Sequence, residues 1–125
     1  MNGPIDSSRA PRPLGPYPHA RRFGNLLFLS GIGPRHPETE AIPADIEAQT
    51  RSCIENVKTI LEDAGSSLEK ILDVTVFLTN IERDFAAFNR VYGEYFASIR
   101  PTRTTVGVAG LPVAISVEIK VIAEG

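Results

Sequence analysis

The sequence predicts an α+β domain with element order ββαβαββ, a mixed sheet with two helices on one face. Three observations predict it. Apolar residues recur at helical spacing through Ile46, Cys53, Ile54, Val57, Ile60 and Leu61, and again through Phe85, Phe88, Val91, Tyr92, Tyr95 and Phe96. Short β-branched or alternating runs at 71–78, 102–108 and 117–122 read as strands. Gly and Pro punctuate the boundaries, with prolines at 34, 37 and 43, Gly65 after the first helix and Pro101 after the second.

The elements follow in order. Residues 1–14 are rich in Pro, Ser, Gly and Arg and read as a loose arm, leaving 15–125 as the domain. His19–Phe23 and Leu26–Leu29 read as two strands around the Gly24-Asn25 turn. The first helix starts near Ala44 or Asp45, with Asp45 and Glu47 at the positive end of its dipole. Asp84 reads as the N-cap of the second helix. The turn over 109–115 suggests that the last two strands form a hairpin. Thr75, Phe77 and Ile122 fall on the second sheet face, which predicts self-association through that face.

The chain has 125 residues, with 13 basic and 15 acidic side chains, so its charge points to neither nucleic acid nor membrane. Residues 1–36 nevertheless carry Arg9, Arg12, Arg21, Arg22 and Arg35 against Asp6 alone. That bias is either a solvated edge or help in binding an acidic ligand. The single cysteine, Cys53, excludes an intramolecular disulfide and reads as a small core residue. No apolar run is long enough to span a membrane and the start lacks an apolar signal core, which predicts a cytoplasmic protein. No phosphate-binding loop, dinucleotide fingerprint or zinc spacing is present, so no cofactor and no metal are expected.

Arg103 and Glu118 stand out because they are charges inside strands. Solvent exposure or a structural pair explains them most simply. Their chemistry allows more: an arginine fork matches a carboxylate, and a carboxylate can deprotonate water.

Gly15-Pro16-Tyr17, Phe28-Leu29-Ser30-Gly31, Asp45-Ile46-Glu47-Ala48-Gln49-Thr50, Pro101-Thr102-Arg103, Leu111-Pro112 and Val117-Glu118-Ile119 resemble, in order and spacing, the motifs of the RidA (YjgF/YER057c/UK114) family. The similarity runs from Gly15 to Ala123. It implies a chorismate mutase-like fold, usually a homotrimer with clefts between subunits. It implies hydrolytic deamination of enamine or imine acids to 2-oxo acids and ammonia, without a cofactor. Arg103 would grip the substrate carboxylate and Glu118 would activate water. Tyr17, Ser30, Gly31 and Asn89 would line the cleft from the neighbouring subunit, and Thr105 would contribute its backbone carbonyl. Some family members have been given regulatory or chaperone-like roles, so a non-catalytic binding protein is the alternative. Ile32, Thr104 and Thr105 depart from the commonest pattern. Tyr17-Pro18-His19-Ala20-Arg21-Arg22 and Arg103-Thr104-Thr105-Val106 resemble the 2-aminomuconate deaminases. A muconate has a second carboxylate, for which His19, Arg21, Arg22, Arg35 and His36 are the candidate cations; Arg35 is taken as a substrate-binding residue.

Overall fold

A computed structural model describes residues 2–125. Six strands and two helices follow in the order β1 (Gly3–Ile5), β2 (Ala20–Phe23), β3 (Leu26–Leu29), α1 (Ile46–Asp63), β4 (Ile71–Leu78), α2 (Ile81–Phe96), β5 (Thr102–Gly107) and β6 (Val117–Glu124). A single 3-10 turn, Leu68–Lys70, leads into β4. The α+β reading holds, with both helices against a mixed sheet of order β1-β2-β3-β6-β4-β5. Only β4 and β5 pair in parallel, as the α2 crossover between them requires.

The first difference from the sequence reading lies at the N-terminus. The expected loose arm is packed, apart from Met1, which lies outside the described residues. Gly3–Ile5 adds a strand beside β2, and Ser7 and Ala10 are buried. The Ser7 N–H donates to His19 Nδ1 at 2.9 Å, and Pro11 C=O accepts from His19 Nε2 at 2.7 Å. Arg9 meets Asp63 at the end of α1 at 2.5 Å. Composition misled here because a three-residue strand draws its order from partners far along the chain rather than from a local pattern.

The second difference is topological. β5 and β6 do not form a hairpin: β4 lies between them, and pairs with both. The connection crosses the end of β4, where Val108 N–H donates to Leu78 C=O and Thr79 N–H donates to Ser116 C=O. The third concerns α2, whose N-cap is Asn80 rather than Asp84. Asn80 Oδ1 accepts from the Arg83 N–H, and Asp84 sits inside the first turn, buried and paired with Arg83.

The core forms where the alternation of the strands meets the helical stripes. Leu27, Leu29, Val74, Val76, Leu78, Val117, Ile119 and Val121 face the helices, against Ile54, Val57, Ile60, Leu61 and Phe88. Cys53 is fully buried among them, as expected. The opposite sheet face carries Phe28, Phe77, Glu118, Lys120 and Ile122. No helix among the described residues is long and apolar enough to cross a membrane.

Deleting residues 1–10 is expected to lower stability by about 1–3 kcal/mol, because it strands the buried His19 acceptor and exposes the β2 edge. A urea melt of the truncated chain checks this; an unchanged midpoint would restore the loose-arm reading.

Candidate active site

Glu118 is the starting point because the alternation of β6 leaves it no choice of face. Its neighbours Val117 and Ile119 are buried under the helices, so Glu118 projects from the opposite face. The loop after β3 then closes over it. Ile32 and Ile119 exchange backbone hydrogen bonds of 2.8 and 2.9 Å, which presses Gly31 against the carboxyl group. A Cβ at position 31 would come within 2.8 Å of Glu118 Cδ and closer still to Oε2, so a larger residue there would push the Glu118 carboxyl aside. Burial raises the Glu118 carboxyl above its ordinary range.

Tyr17, Ser30, Gly31, Arg35 and Glu118 line one cleft, together with Pro11–Leu14 and Pro112. Ser30 Oγ donates to Pro18 C=O at 2.8 Å and so fixes the loop that carries Tyr17. Tyr17 OH accepts from the Leu14 N–H at 3.2 Å. Cys53 lies beneath, with its thiol 3.4 Å from Ile32 C=O; burial first, and Glu118 second, push that thiol up. A neutral buried thiol of this kind is a poor nucleophile.

Arg103 belongs to a different surface. It is in register with Val74, on the helix-covered side of the edge strand β5. Its guanidinium lies 4.6 Å from the Tyr92 ring centroid, 5.7 Å from Phe88 and 5.8 Å from Phe85. One Nη donates to Asn89 Oδ1 at 2.8 Å. Two buried hydroxyls nearby, Tyr92 OH and Thr105 Oγ1, have no hydrogen-bond partner among the described residues. Burial pushes the Tyr92 hydroxyl up to about 12, which keeps it neutral. The aromatic support of Arg103 was not foreseen from the sequence, where the same stripe read as core.

Arg103 and Glu118 therefore do not meet within one chain. Arg103 is level with Val74 and Val121, which puts Glu118 three residues along β6 and two strands across, about 14 Å by sheet spacings. They also face opposite sides of the sheet. The candidate residues divide into two groups: Glu118 with Tyr17, Ser30, Gly31 and Arg35, and Arg103 with Asn89 and Thr105. The expected grouping of Asn89 with Tyr17, Ser30 and Gly31 is thus corrected, because Asn89 rides on α2 beside β5.

The candidate second cations separate as well. Both ring nitrogens of His19 are occupied. Arg21 is exposed on β2, level with Phe28. Arg22 donates to Ala64 C=O at the end of α1. His36 is exposed and accepts from two loop N–H groups. Of the five, Arg35 and His19 line the cleft, and His19 has both ring nitrogens engaged. Among the described residues, no cluster of three or more His, Cys, Asp or Glu is arranged to hold a metal ion.

The raised Glu118 carboxyl makes the folded chain bind its proton more tightly than the unfolded chain does. Its charge therefore costs stability as pH rises above the ordinary carboxylate value. Glu118→Gln is expected to raise the melting temperature at pH 7 and to have little effect near pH 4, which a thermal melt at both pH values checks.

The family model described as endoribonuclease L-PSP matches residues 7–125. A RutC family protein of Pyrococcus abyssi is 45% identical over 120 residues, covering 95% of this chain and 94% of that protein. TdcF of Escherichia coli, which carries the name of a reactive intermediate deaminase, is 43% identical over 95% of this chain and 94% of its own. The crystal structure of TdcF with bound serine superposes with a TM-score of 0.91 at 42% identity, over 98% of both chains. A yeast structure, YEO7, reaches 0.95 at 36% identity, over 99% of this chain and 98% of its own. By model, relatives and structure alike, the chain belongs to the endoribonuclease L-PSP family, the RidA-type family that its motifs resemble.

Proposed function

We propose that the protein hydrolyses enamine or imine acids to 2-oxo acids and ammonia, at sites assembled between subunits of a homotrimer. The observation that carries this reading is the Glu118 carboxyl, half-buried against Gly31 with its proton affinity raised by burial. A carboxylate whose proton affinity is raised by burial is a stronger general base than an exposed one. The name carried by TdcF agrees with it.

The chemistry needs few groups. The Arg103 fork binds the substrate carboxylate; among the described residues only one of its N–H donors is engaged, by Asn89. Glu118 takes a proton from water as the oxygen adds to the imine carbon. That proton passes to nitrogen to give a carbinolamine; Glu118 then takes the hydroxyl proton and hands it to the amine as C=O forms and the C–N bond breaks, so ammonia leaves a 2-oxo acid. No cofactor takes part. Thr105 offers the neighbouring backbone carbonyl, and Tyr17, Ser30 and Gly31 shape the Glu118 side of the cleft. A 2-aminomuconate-type substrate is the sharper reading, supported by the Tyr17–Arg22 and Arg103–Val106 motifs.

The two-subunit arrangement follows from the separation of Arg103 and Glu118. Each copy offers one Arg103 surface and one Glu118 cleft, and a head-to-tail ring joins them in turn. The open sheet face, with Phe28 38% exposed, supplies apolar area for that association.

The test is ammonia release from 2-iminobutyrate generated in situ and from 2-aminomuconate. Arg103→Ala and Glu118→Gln are each expected to lose at least ~100-fold in kcat/KM. Co-refolding the two inactive variants in equal amounts is expected to restore about a quarter of wild-type activity, the fraction of mixed interfaces with both native groups. A purified wild type that releases no ammonia from either substrate would overturn the deaminase reading in favour of a binding or regulatory role. Failure of the mixture alone would overturn the shared site.

A further inference from the structure

Two loops wall the Glu118 cleft, and both are fastened by side chains that the deaminase chemistry does not use. Gly31, Gly33 and Arg35 line one side of the cleft, Pro112 and Ile115 another. Residues 33–45 and 108–116 belong to no strand or helix, so no sheet ladder sets their course. One helix holds both. Asn56 of α1 donates through Nδ2 to Gly33 C=O at 3.0 Å and to Arg35 C=O at 2.9 Å. Gln49 of α1 accepts from the Ser116 N–H at 2.8 Å and donates to Pro43 C=O at 2.9 Å. The two residues are about two helical turns apart and share one face, with Cys53 between them. The Cys53 thiol lies against Ile32 C=O at 3.4 Å and Val117 C=O at 3.6 Å.

Gln49 and Asn56 are only 4% and 5% exposed. A buried amide is costly unless it is hydrogen-bonded. Among the described residues, every hydrogen bond these two side chains make goes to loop backbone. Burying this face of α1 requires only apolar side chains, so the amides need another reason. The walls they hold also touch each other, since a Cβ on Gly33 would come within 3.1 Å of Ile115 Cδ1. Gly31, which presses on the Glu118 carboxyl, lies two residues before Gly33, and Glu118 itself lies two residues after Ser116.

We infer that Gln49 and Asn56 are positioning residues for the proposed reaction: they clamp both cleft walls to α1 and so hold Gly31 against the Glu118 carboxyl. They act through the walls and not on the substrate. Without the clamp the loops drift, water reaches the carboxyl, and its proton affinity returns toward that of an exposed group. The inference rests on the deaminase reading for its kinetic consequence, while the state of Glu118 is measured without turnover.

Carboxyl-carbon NMR of the glutamate-labelled protein follows the Glu118 titration, with the resonance assigned by its loss in Glu118→Gln. In Asn56→Ser and in Gln49→Met the Glu118 midpoint is expected to move to lower pH. Ammonia release is expected to fall about tenfold, chiefly in kcat, as for a displaced catalytic group. Gln49→Glu keeps an acceptor for the Ser116 N–H and is expected to fall between wild type and Gln49→Met. Thr50→Val is the control for general loosening. Thr50 is buried on the same helix, and among the described residues its hydroxyl donates only to Ile46 C=O within α1. This variant is expected to melt earlier and to leave the Glu118 midpoint in place. Should Asn56→Ser fail to fold, Gln49→Met and Gln49→Glu carry the test. An unmoved midpoint in either amide variant overturns the inference, and so does an equal displacement in Thr50→Val. Displaced midpoints in a protein that releases no ammonia keep the clamp and lose the deaminase reading.

Discussion

The two-residue period of β6 is the constraint on which the site depends. Val117, Ile119, Val121 and Ala123 are at most 1% exposed beneath the helices, so Glu118 and Lys120 must face the other way. A slip of one residue would put a carboxylate under α1 and expose four apolar side chains. The register cannot slip easily, because β6 is paired on both sides, by β3 and β4. The same parity acts on β5, where pairing with Val74 and Val76 turns Arg103 and Thr105 toward α2. Sheet geometry therefore separates the two most reactive charges and makes association a condition of the proposed chemistry.

Much of the architecture was legible because its signals are local. The stripe from Ile46 to Leu61 is α1, and the alternation over 71–78 is β4 without adjustment. Arg103 and Glu118 stood out for a local reason too, as charges among β-branched residues. What escaped depends on distant partners. Gly3–Ile5 is a strand only because β2 lies beside it. The nine residues between β5 and β6 suit a hairpin, yet that segment crosses the end of β4. Asn80 and Asp84 both offer a capping oxygen, and the one directly before the first helical turn, Asn80, takes the Arg83 N–H. The division of the site residues into two groups follows from strand order, which no local pattern encodes. Arg12, read as part of a loose arm, joined the cleft through contacts with Arg35 and Glu40.

The treatment of charge distinguishes the site from the rest of the surface. Arg9, Arg12, Arg35, Arg51, Arg83 and Arg90 each meet a carboxylate. Arg103 meets none among the described residues; it is held by the neutral Asn89 amide and by aromatic faces. Those restraints orient the guanidinium without neutralising it, so its charge stays available to an incoming carboxylate. Glu118 is likewise half-buried with no ion-pair partner among the described residues, and burial alone raises its proton affinity. The burial of Glu118 costs stability. A fold selected for stability alone would pair these groups or move them into water, as it does with its other arginines. That the chain instead keeps one unpaired cation on a rigid aromatic support and one unpaired carboxyl against a glycine is the pattern expected of groups reserved for a ligand.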